Sequence, residues 1–371
     1  MNIFFLNSIG TQTWGGGEKW MLTLARGLSQ RGHQIYFAGR KQSRFINRVS
    51  RADFPVFPLN ITGDFSPGNI FRLGNIFRQK KIDVIIANFN KDCRLAGLAR
   101  LYSRTPVLVA RNGLPILQNK WRYRLTYRYL VDGIITNTQA IKNRYLSFGW
   151  LPDSFIKVIH NGIAPEKPRN SSREKSLHDF HMPPGKQIIG IFGRLVKQKQ
   201  HDLFLQTAHL ILKEHQDVIF LIVGDGPLRR EIETRIEKLQ LKDSVFMTGH
   251  QTDVMPFYHA CDIVLLTSED EGLPNVVMEA MLNAKPVVAF DVGGIKELIP
   301  SDRFGFVVPA NNIESLAKKT IAILKEPAYG QEIGNNARNR ILSLFSLEKM
   351  VLQVEHAFPV TSPLPAHLFF T

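Results

Sequence analysis

Ile263-Val264-Leu265-Leu266-Thr267-Ser268-Glu269-Asp270-Glu271-Gly272-Leu273-Pro274-Asn275-Val276-Val277-Met278-Glu279-Ala280-Met281 is the stretch that decides the fold. Its first four residues are apolar without alternation and predict a short strand buried on both faces. The acidic, glycine- and proline-bearing segment that follows predicts a loop, and the run from Val276 predicts that this loop opens a helix. The same form recurs on both sides. Ile188-Ile189-Gly190-Ile191-Phe192, Val218 to Val223, Val245-Phe246-Met247 and Pro286-Val287-Val288-Ala289 read as strands separated by helical patterns. In the first half, Ile3-Phe4-Phe5-Leu6, Gln34 to Ala38, Asp83 to Ala87, Val107 to Ala110 and Gly133 to Asn137 read likewise. Short, continuously apolar strands alternating with helices indicate parallel sheets covered on both faces.

A break falls near residues 161–185. Asn161-Gly162 is a turn signal, followed by Pro165, Pro168, Asn170, Ser171 and Ser172, and closed by Pro183-Pro184-Gly185. The expected organisation is an N-terminal domain over 1–164, a linker and its flank over 165–185, and a second domain over 186–350. A tail, 351–371, either packs back on the first domain or stays loose. The fold class expected is α/β, with two facing Rossmann-like doubly wound domains and an interdomain cleft. Ligands bind beyond the strand C-termini in such sheets.

The 371 residues suit about two domains, and 44% hydrophobic with 21% charged residues is the balance of a folded protein. Cys93 and Cys261 stand far apart without Cys or His partners at metal spacing, which argues against a disulfide framework and a zinc site. That fits a reducing cytoplasm. No stretch reaches about 18 uninterrupted apolar residues, and Met1 to Asn7 reads as a strand rather than a signal peptide. Charge is uneven: residues 1–170 hold 26 Lys and Arg against 8 Asp and Glu, and residues 171–371 hold 21 against 24. The first half is therefore expected to attract an anionic partner.

In residues 263–281, Glu271 and Glu279 have seven residues between them. The amides from Gly272 to Val276 fall at a helix N-terminus, where unpaired N–H groups favour anions, and a nearby carboxylate accepts bonds from sugar hydroxyls. An acidic loop that merely caps a helix is the plainer alternative. Gly193-Arg194-Leu195-Val196-Lys197-Gln198-Lys199 directly follows another strand. Glycine allows the turn and a close ligand approach, while Arg194 and Lys199 offer a fork of donors and a point charge suited to a diphosphate. Two solvated surface cations would leave the same trace. Gly224-Asp225-Gly226-Pro227 ends a further strand with a tight turn, which serves as a nucleotide cradle or simply as a connector.

Taken in order, and with Gly293-Gly294-Ile295-Lys296-Glu297 after them, these segments resemble retaining glycosyltransferases of family 4, the glycosyl transferases group 1, over about residues 1–350. Gly15-Gly16-Gly17-Glu18, Arg31-Gly32-His33 and His160-Asn161-Gly162-Ile163 add to the resemblance in the first half. It implies the GT-B fold and transfer of a sugar from a nucleotide-sugar donor bound in the C-terminal half, with the N-terminal domain on the acceptor side. It assigns Arg194 and Lys199 to the donor diphosphate, Glu271 to the transferred sugar and Glu279 to the ribose. Gly193, Gly224 and Gly226 would line the nucleotide pocket. Gly272, Leu273, Pro274 and Asn275 would touch sugar and phosphate through their amides, and Gly15, Gly16 and Gly17 would approach phosphates or acceptor. Retention by front-face attack is implied, with the leaving phosphate assisting deprotonation of the acceptor. No cofactor and no metal are expected, since fixed cations meet the phosphate charge and no Asp-x-Asp motif is present.

The sequence departs from the family where many members carry a histidine after an N-domain strand. Ala110-Arg111-Asn112-Gly113 stands there, and Arg111 is a candidate contact to sugar or acceptor. Basic runs with aromatics, Asn119 to Leu130 and Gly39 to Arg51, suit an acidic bilayer or are solvated helix faces. The expected partners are a nucleotide-sugar, a glycan or glycolipid acceptor such as a lipopolysaccharide core or another surface polysaccharide, and an acidic membrane surface. Nucleic acid is not expected, for want of a recognition motif. The expected location is the cytoplasm, peripheral on the inner face of the membrane. A nucleotide-sugar epimerase or hydrolase on the same fold is the competing enzyme, and a non-catalytic glycan-binding subunit the competing binding protein.

Overall fold

A computed structural model describes residues 1–61, 63, 66–165, 180 and 182–357. Most of the expected linker, including Pro168, Asn170, Ser171 and Ser172, and the tail from residue 358 lie outside the described residues. The chain divides into two compact units. Residues Met1–Gly162 form one, joined by the segment that begins at Leu347, and Ile163–Ser346 form the other.

In the N-terminal unit the strands are β1 (Asn2–Asn7), β2 (Gln34–Arg40), β3 (Val56–Leu59), β4 (Val84–Ala87), β5 (Val107–Asn112), β6 (Gly133–Thr136) and β7 (Ile156–Val158). They form one sheet in the order β3-β2-β1-β4-β5-β6-β7, and every pairing is parallel. Phe4, Phe5 and Leu6 of β1 are wholly buried and face two different clusters, because alternate side chains leave opposite faces of a strand. Helices therefore cover both sides, as continuous apolar strands require. The helix Leu347–Ala357 returns to this unit and packs on the helix Gly16–Gln30. A Cβ at Gly27 would lie 2.4 Å from Val351, so the glycine permits the close crossing. Glu355 clamps the same joint by accepting from Arg31 Nε at 2.7 Å and pairing with His33 Nε2 at 2.8 Å.

The C-terminal unit repeats the plan with β8 (Gln187–Phe192), β9 (Val218–Val223), β10 (Val245–Gly249), β11 (Ile263–Leu266), β12 (Val287–Phe290) and β13 (Phe306–Val308). The order is β10-β9-β8-β11-β12-β13, again parallel. Every residue of β9 is buried. In each sheet the first strand is central and its two neighbours are reached in opposite directions. The loops after β8 and β11 therefore diverge at the topological switch point, where open α/β sheets bind ligands. No helix of the described residues is long and apolar enough to cross a membrane.

Candidate functional site

The stretch 263–281 folds as read. β11 ends at Leu266, the loop carries Glu271, and the helix Asn275–Leu282 begins after Pro274. Gly272, Leu273 and Pro274 are buried beneath the surface of that turn. The loop after β8 is stitched to it. Thr267 Oγ1 donates to the Lys199 carbonyl at 3.0 Å, and the Glu269 amide donates to the Gln198 carbonyl at 2.8 Å. These bonds set Lys199 beside Glu271. Lys199 Nζ lies 2.5 Å from Glu271 Oε1, with side-chain exposures of 17% and 10%, so each charge compensates the other in a half-dry setting. Gly293 completes the cradle. It has φ +54°, and a Cβ on it would fall 1.8 Å from the Glu271 carbonyl oxygen.

The glycine turns after β8 and β9 lie back to back. Gly193 and Gly224 both have φ +147°, and a Cβ on Gly224 would sit 1.9 Å from the Gly193 carbonyl oxygen. A Cβ on Gly226 would sit 2.5 Å from the Leu195 carbonyl oxygen. Gly226 thus serves packing between two loops and is not part of the cavity wall, whereas Gly193 and Gly224 line it. The cavity, about 220 Å³, brings them together with exposed Arg194 and half-buried Glu279. Among the described residues Arg194 makes no ion pair. The Lys199 stem passes Gly193, its Cε 3.3 Å from where a Cβ would stand, which joins the Lys199–Glu271 pair to the cavity edge.

Tyr258, His250 and Gln251 also line this cavity and were not singled out from sequence. Tyr258 is wholly buried and stacks on Phe192 with centroids 3.9 Å apart. Its hydroxyl lies 3.1 Å from Glu279 Oε2 and 3.2 Å from the Val276 carbonyl oxygen. Burial, then the Glu279 charge, raises the hydroxyl well above the usual tyrosine range, so it remains a donor that orients the carboxylate. His250 and Gln251 follow β10, and the strand-end rule would have found them; nothing in the sequence marks Tyr258. His201 lies beside Lys199, nearly fully buried, with neither ring nitrogen partnered among the described residues. Burial, with the Lys199 charge second, lowers it to about 4, and it is neutral at pH 7.

Gly15, Gly16, Gly17 and Arg111 belong to the other unit. Gly15 caps the helix Gly16–Gln30, and its amide donates to Glu18 Oε2 at 2.9 Å. Glu18 is buried, and its Oε1 accepts from Asn7 Nδ2 at 2.8 Å. Arg111 does not follow its strand. β5 continues through Asn112, so Arg111 is a strand residue, 6% exposed, with its guanidinium 4.7 Å over the Trp20 ring. Burial lowers it to about 10, opposed by the Glu18 charge, and it remains a cation at pH 7.

Two family models match adjoining parts of the chain: glycosyl transferases group 1 over residues 172–340, and glycosyltransferase family 4 over residues 14–167. A poly(ribitol-phosphate) alpha-N-acetylglucosaminyltransferase of Staphylococcus aureus is 27% identical over 241 residues, covering 65% of this chain and 42% of its own. The chain thus spans less than half the length of that relative. Campylobacter jejuni GalNAc-alpha-(1->4)-GalNAc-alpha-(1->3)-diNAcBac-PP-undecaprenol alpha-1,4-N-acetyl-D-galactosaminyltransferase is 26% identical over 355 residues, covering 92% and 93%. Among solved structures, Anabaena Alr3699/HepE in complex with UDP superposes with TM-score 0.85 at 23% identity, covering 96% of this chain and 98% of that one.

Proposed function

The chain belongs to the glycosyltransferases that the group 1 and family 4 models describe, and from that premise we propose that it moves a sugar from a nucleotide-sugar onto a glycan acceptor, with retention at the anomeric carbon. One observation carries the donor reading: a single cavity in the C-terminal unit collects Arg194, Gly193, Gly224 and Glu279, with the Lys199–Glu271 pair at its edge. Glu279, held by Tyr258, accepts from the ribose hydroxyls. Arg194 and Lys199 meet the diphosphate. As the bond between the anomeric carbon and the diphosphate oxygen breaks, negative charge grows on the phosphate, and fixed cations there lower the barrier. The acceptor oxygen bonds to the same carbon from the same face, and its proton passes to the departing phosphate. Glu271 keeps Lys199 aimed and accepts from a sugar hydroxyl. This chemistry is proposed to run without a metal, so chelator would leave the rate unchanged.

The UDP of the Anabaena structure and the undecaprenol-linked acceptor in the name of the Campylobacter relative support a UDP-sugar donor and a lipid-linked surface glycan as the acceptor class. A thermal-shift screen over UDP-, GDP- and ADP-sugars tests the donor. A bound donor raises the melting temperature through mass action, and Glu279→Ala lowers that gain. No shift with any nucleotide sugar would overturn the reading, and sugar release without acceptor would indicate a hydrolase.

The N-terminal unit is proposed to dock on an acidic bilayer at the inner membrane face. Trp121, Leu125 and Tyr129 form a stripe on the helix Trp121–Tyr129, with 66%, 48% and 49% exposure, and Arg122, Arg124 and Arg128 beside them are exposed. Rings at the headgroup level and cations against anionic lipid are the two attractions of an interfacial helix. The run 39–51 differs: Phe45, Ile46 and Val49 are buried, and its exposed side is polar throughout, with Gln42, Asn47 and Ser50 beside Lys41, Arg44, Arg48 and Arg51, which is an ordinary helix face. Co-sedimentation with phosphatidylserine vesicles is expected to fall on Trp121→Ser with Tyr129→Ser. Unchanged sedimentation would remove the membrane from the account.

A further inference from the structure

Among the described residues the N-terminal unit exposes seven large apolar side chains, and all of them fall between Phe71 and Tyr129. Six stand on three helices: Phe71 on Pro67–Gln79, Leu101 and Tyr102 on Asn90–Ser103, and Trp121, Leu125 and Tyr129 on Trp121–Tyr129. The buried sides of these helices, through Leu73 and Phe77, Leu95 and Ala99, and Tyr127, enter one cluster, so the three cover the same face of the sheet. They lie side by side. A Cβ on Gly74 would fall 2.5 Å from Tyr102 Cδ1, and one on Gly97 would fall 2.6 Å from Leu130 Cβ, so glycines close both crossings. Phe71 and Tyr102 meet edge to face across the first, with centroids 5.9 Å apart. On the other face of the sheet, the helices Gly16–Gln30, Arg44–Ser50 and Leu347–Ala357 expose no large apolar side chain.

Charge divides the same way. None of the three helices exposes a carboxylate, because Asp92, their one acid, is wholly buried. Arg72 and Arg78 stand exposed beside Phe71 and Tyr102, with the Arg78 guanidinium 5.4 Å over the Tyr102 ring. Arg122, Arg124 and Arg128 do the same for the last helix. The opposite face mixes signs, with Arg26 and Lys349 exposed next to Glu348. A broad apolar patch set among arginines and free of acids matches anionic lipid. A second copy of the chain would bring cation against cation across a two-fold axis, which disfavours it as the occupant.

We propose that these three helices form one bilayer-docking layer, so that the N-terminal unit lies with its sheet parallel to anionic lipid instead of standing on the helix Trp121–Tyr129 alone. The proposal rests on the membrane reading above and adds the orientation. The sheet is then held over the headgroups by the thickness of one helix, about 10 Å. Its strand C-termini open along the membrane plane, where a lipid-linked glycan meets them without leaving the bilayer.

Single thiols at exposed positions test the orientation: Phe71→Cys, Leu101→Cys and Tyr129→Cys on the layer, and Ser50→Cys on the opposite face, each labelled with bimane. Cys93 and Cys261 are buried, so the added thiol takes the label. The full-length chain is mixed with phosphatidylserine vesicles that carry a nitroxide lipid. Quenching at 71 and 101 is expected to match that at 129, with none at 50. Quenching at 129 alone would overturn the layer and leave the membrane reading standing, and so would equal quenching at all four positions. No quenching anywhere would overturn both. Phe71→Ser with Tyr102→Ser gives a second measure: partition onto the vesicles should weaken about tenfold or more, the value of two aromatic side chains withdrawn from the interface. Unchanged partition would overturn the layer. Phosphatidylcholine vesicles should bind at least roughly tenfold more weakly, and equal binding to them would overturn the assignment to anionic lipid.

Discussion

In the C-terminal unit, positive charge reaches the switch point through the loop that leaves the central strand: Arg194 and Lys199 follow β8 directly, and Lys199 is paired with Glu271. In the N-terminal unit the corresponding loop, residues 8–15, carries no cation, and the charge arrives on Arg111 from β5, two places along the sheet. One cation is local and compensated; the other is distant and without a hydrogen-bonded partner. Compensation matters because a charge held by a carboxylate is positioned before the ligand arrives, at the cost of sharing it. The largest effect should therefore come from the C-terminal pair. Lys199→Ala strands Glu271 and, on the function proposed above, removes fixed charge at the leaving phosphate, and should lower kcat on the order of 100- to 1000-fold. Single-turnover transfer from labelled donor measures it. A loss below about fivefold would place the leaving-group charge elsewhere, since each tenfold is worth about 1.4 kcal/mol.

The glycines sharpen the same contrast. Gly224 has φ +147° and a missing Cβ that would strike the Gly193 backbone, which cannot yield. Gly113 would strike the end of an arginine side chain, which can. Gly224→Ala should cost about 2–4 kcal/mol of stability, and Gly113→Ala well under half of that. Urea midpoints measure both. Equal losses would mean that the guanidinium is as firmly fixed as backbone.

What was legible in the sequence follows the same divide between local and distant. Central strands such as Val218–Val223 declare themselves because both faces and both edges are covered, leaving only apolar positions. β3, β7 and β13 went unread, and all three are sheet edges with partly exposed residues; β3 also contains Pro58. In the site, Arg194, Lys199, Glu271 and Glu279 could be read because each sits next to the strand or helix that positions it. Tyr258 could not, because its pairing with Glu279 joins two helices separated by β11. Arg111 could be read as unusual but not as buried, since Trp20 covers it from another element.

Burial also shifts a carboxylate of the N-terminal unit and an imidazole of the C-terminal unit, with opposite consequences for pH. Asp92 is raised from 3.8 to about 6, chiefly by burial, and His201 is lowered from 6.5 to about 4 for the same reason. Folded Asp92 keeps its proton where the unfolded chain has lost it, so its contribution declines as pH rises from about 4 to 6. Unfolded His201 takes a proton that the folded form refuses, so its contribution declines as pH falls from 6.5 to about 4. Each effect should be on the order of 2–3 kcal/mol across its window. The four tryptophans, Trp14, Trp20, Trp121 and Trp150, all lie in the N-terminal unit, so their fluorescence follows that unit while circular dichroism follows both. Asp92→Asn should flatten the fluorescence-detected slope, and His201→Leu the remaining one. Parallel slopes in both signals would break the opposition.

The smallest effect tests how the donor carboxylate is held. Tyr258 contributes one hydroxyl bond, shared between Glu279 Oε2 and the Val276 carbonyl, while its ring stays stacked on Phe192. Tyr258→Phe keeps the ring and removes only the hydroxyl, so the cavity wall is preserved and Glu279 is freed to turn. A bond to a charged group, partly replaced by water in an open cavity, is worth about 1 kcal/mol, which is roughly a fivefold loss in UDP affinity. Calorimetric titration with UDP and with a 2′-deoxyribose analogue distinguishes positioning from packing. If Tyr258 acts by orienting Glu279 toward the ribose, the deoxy analogue should lose little further affinity in the variant. An equal loss for both ligands would reduce Tyr258 to a wall residue, and the C-terminal unit would then aim only its cations and not its carboxylate.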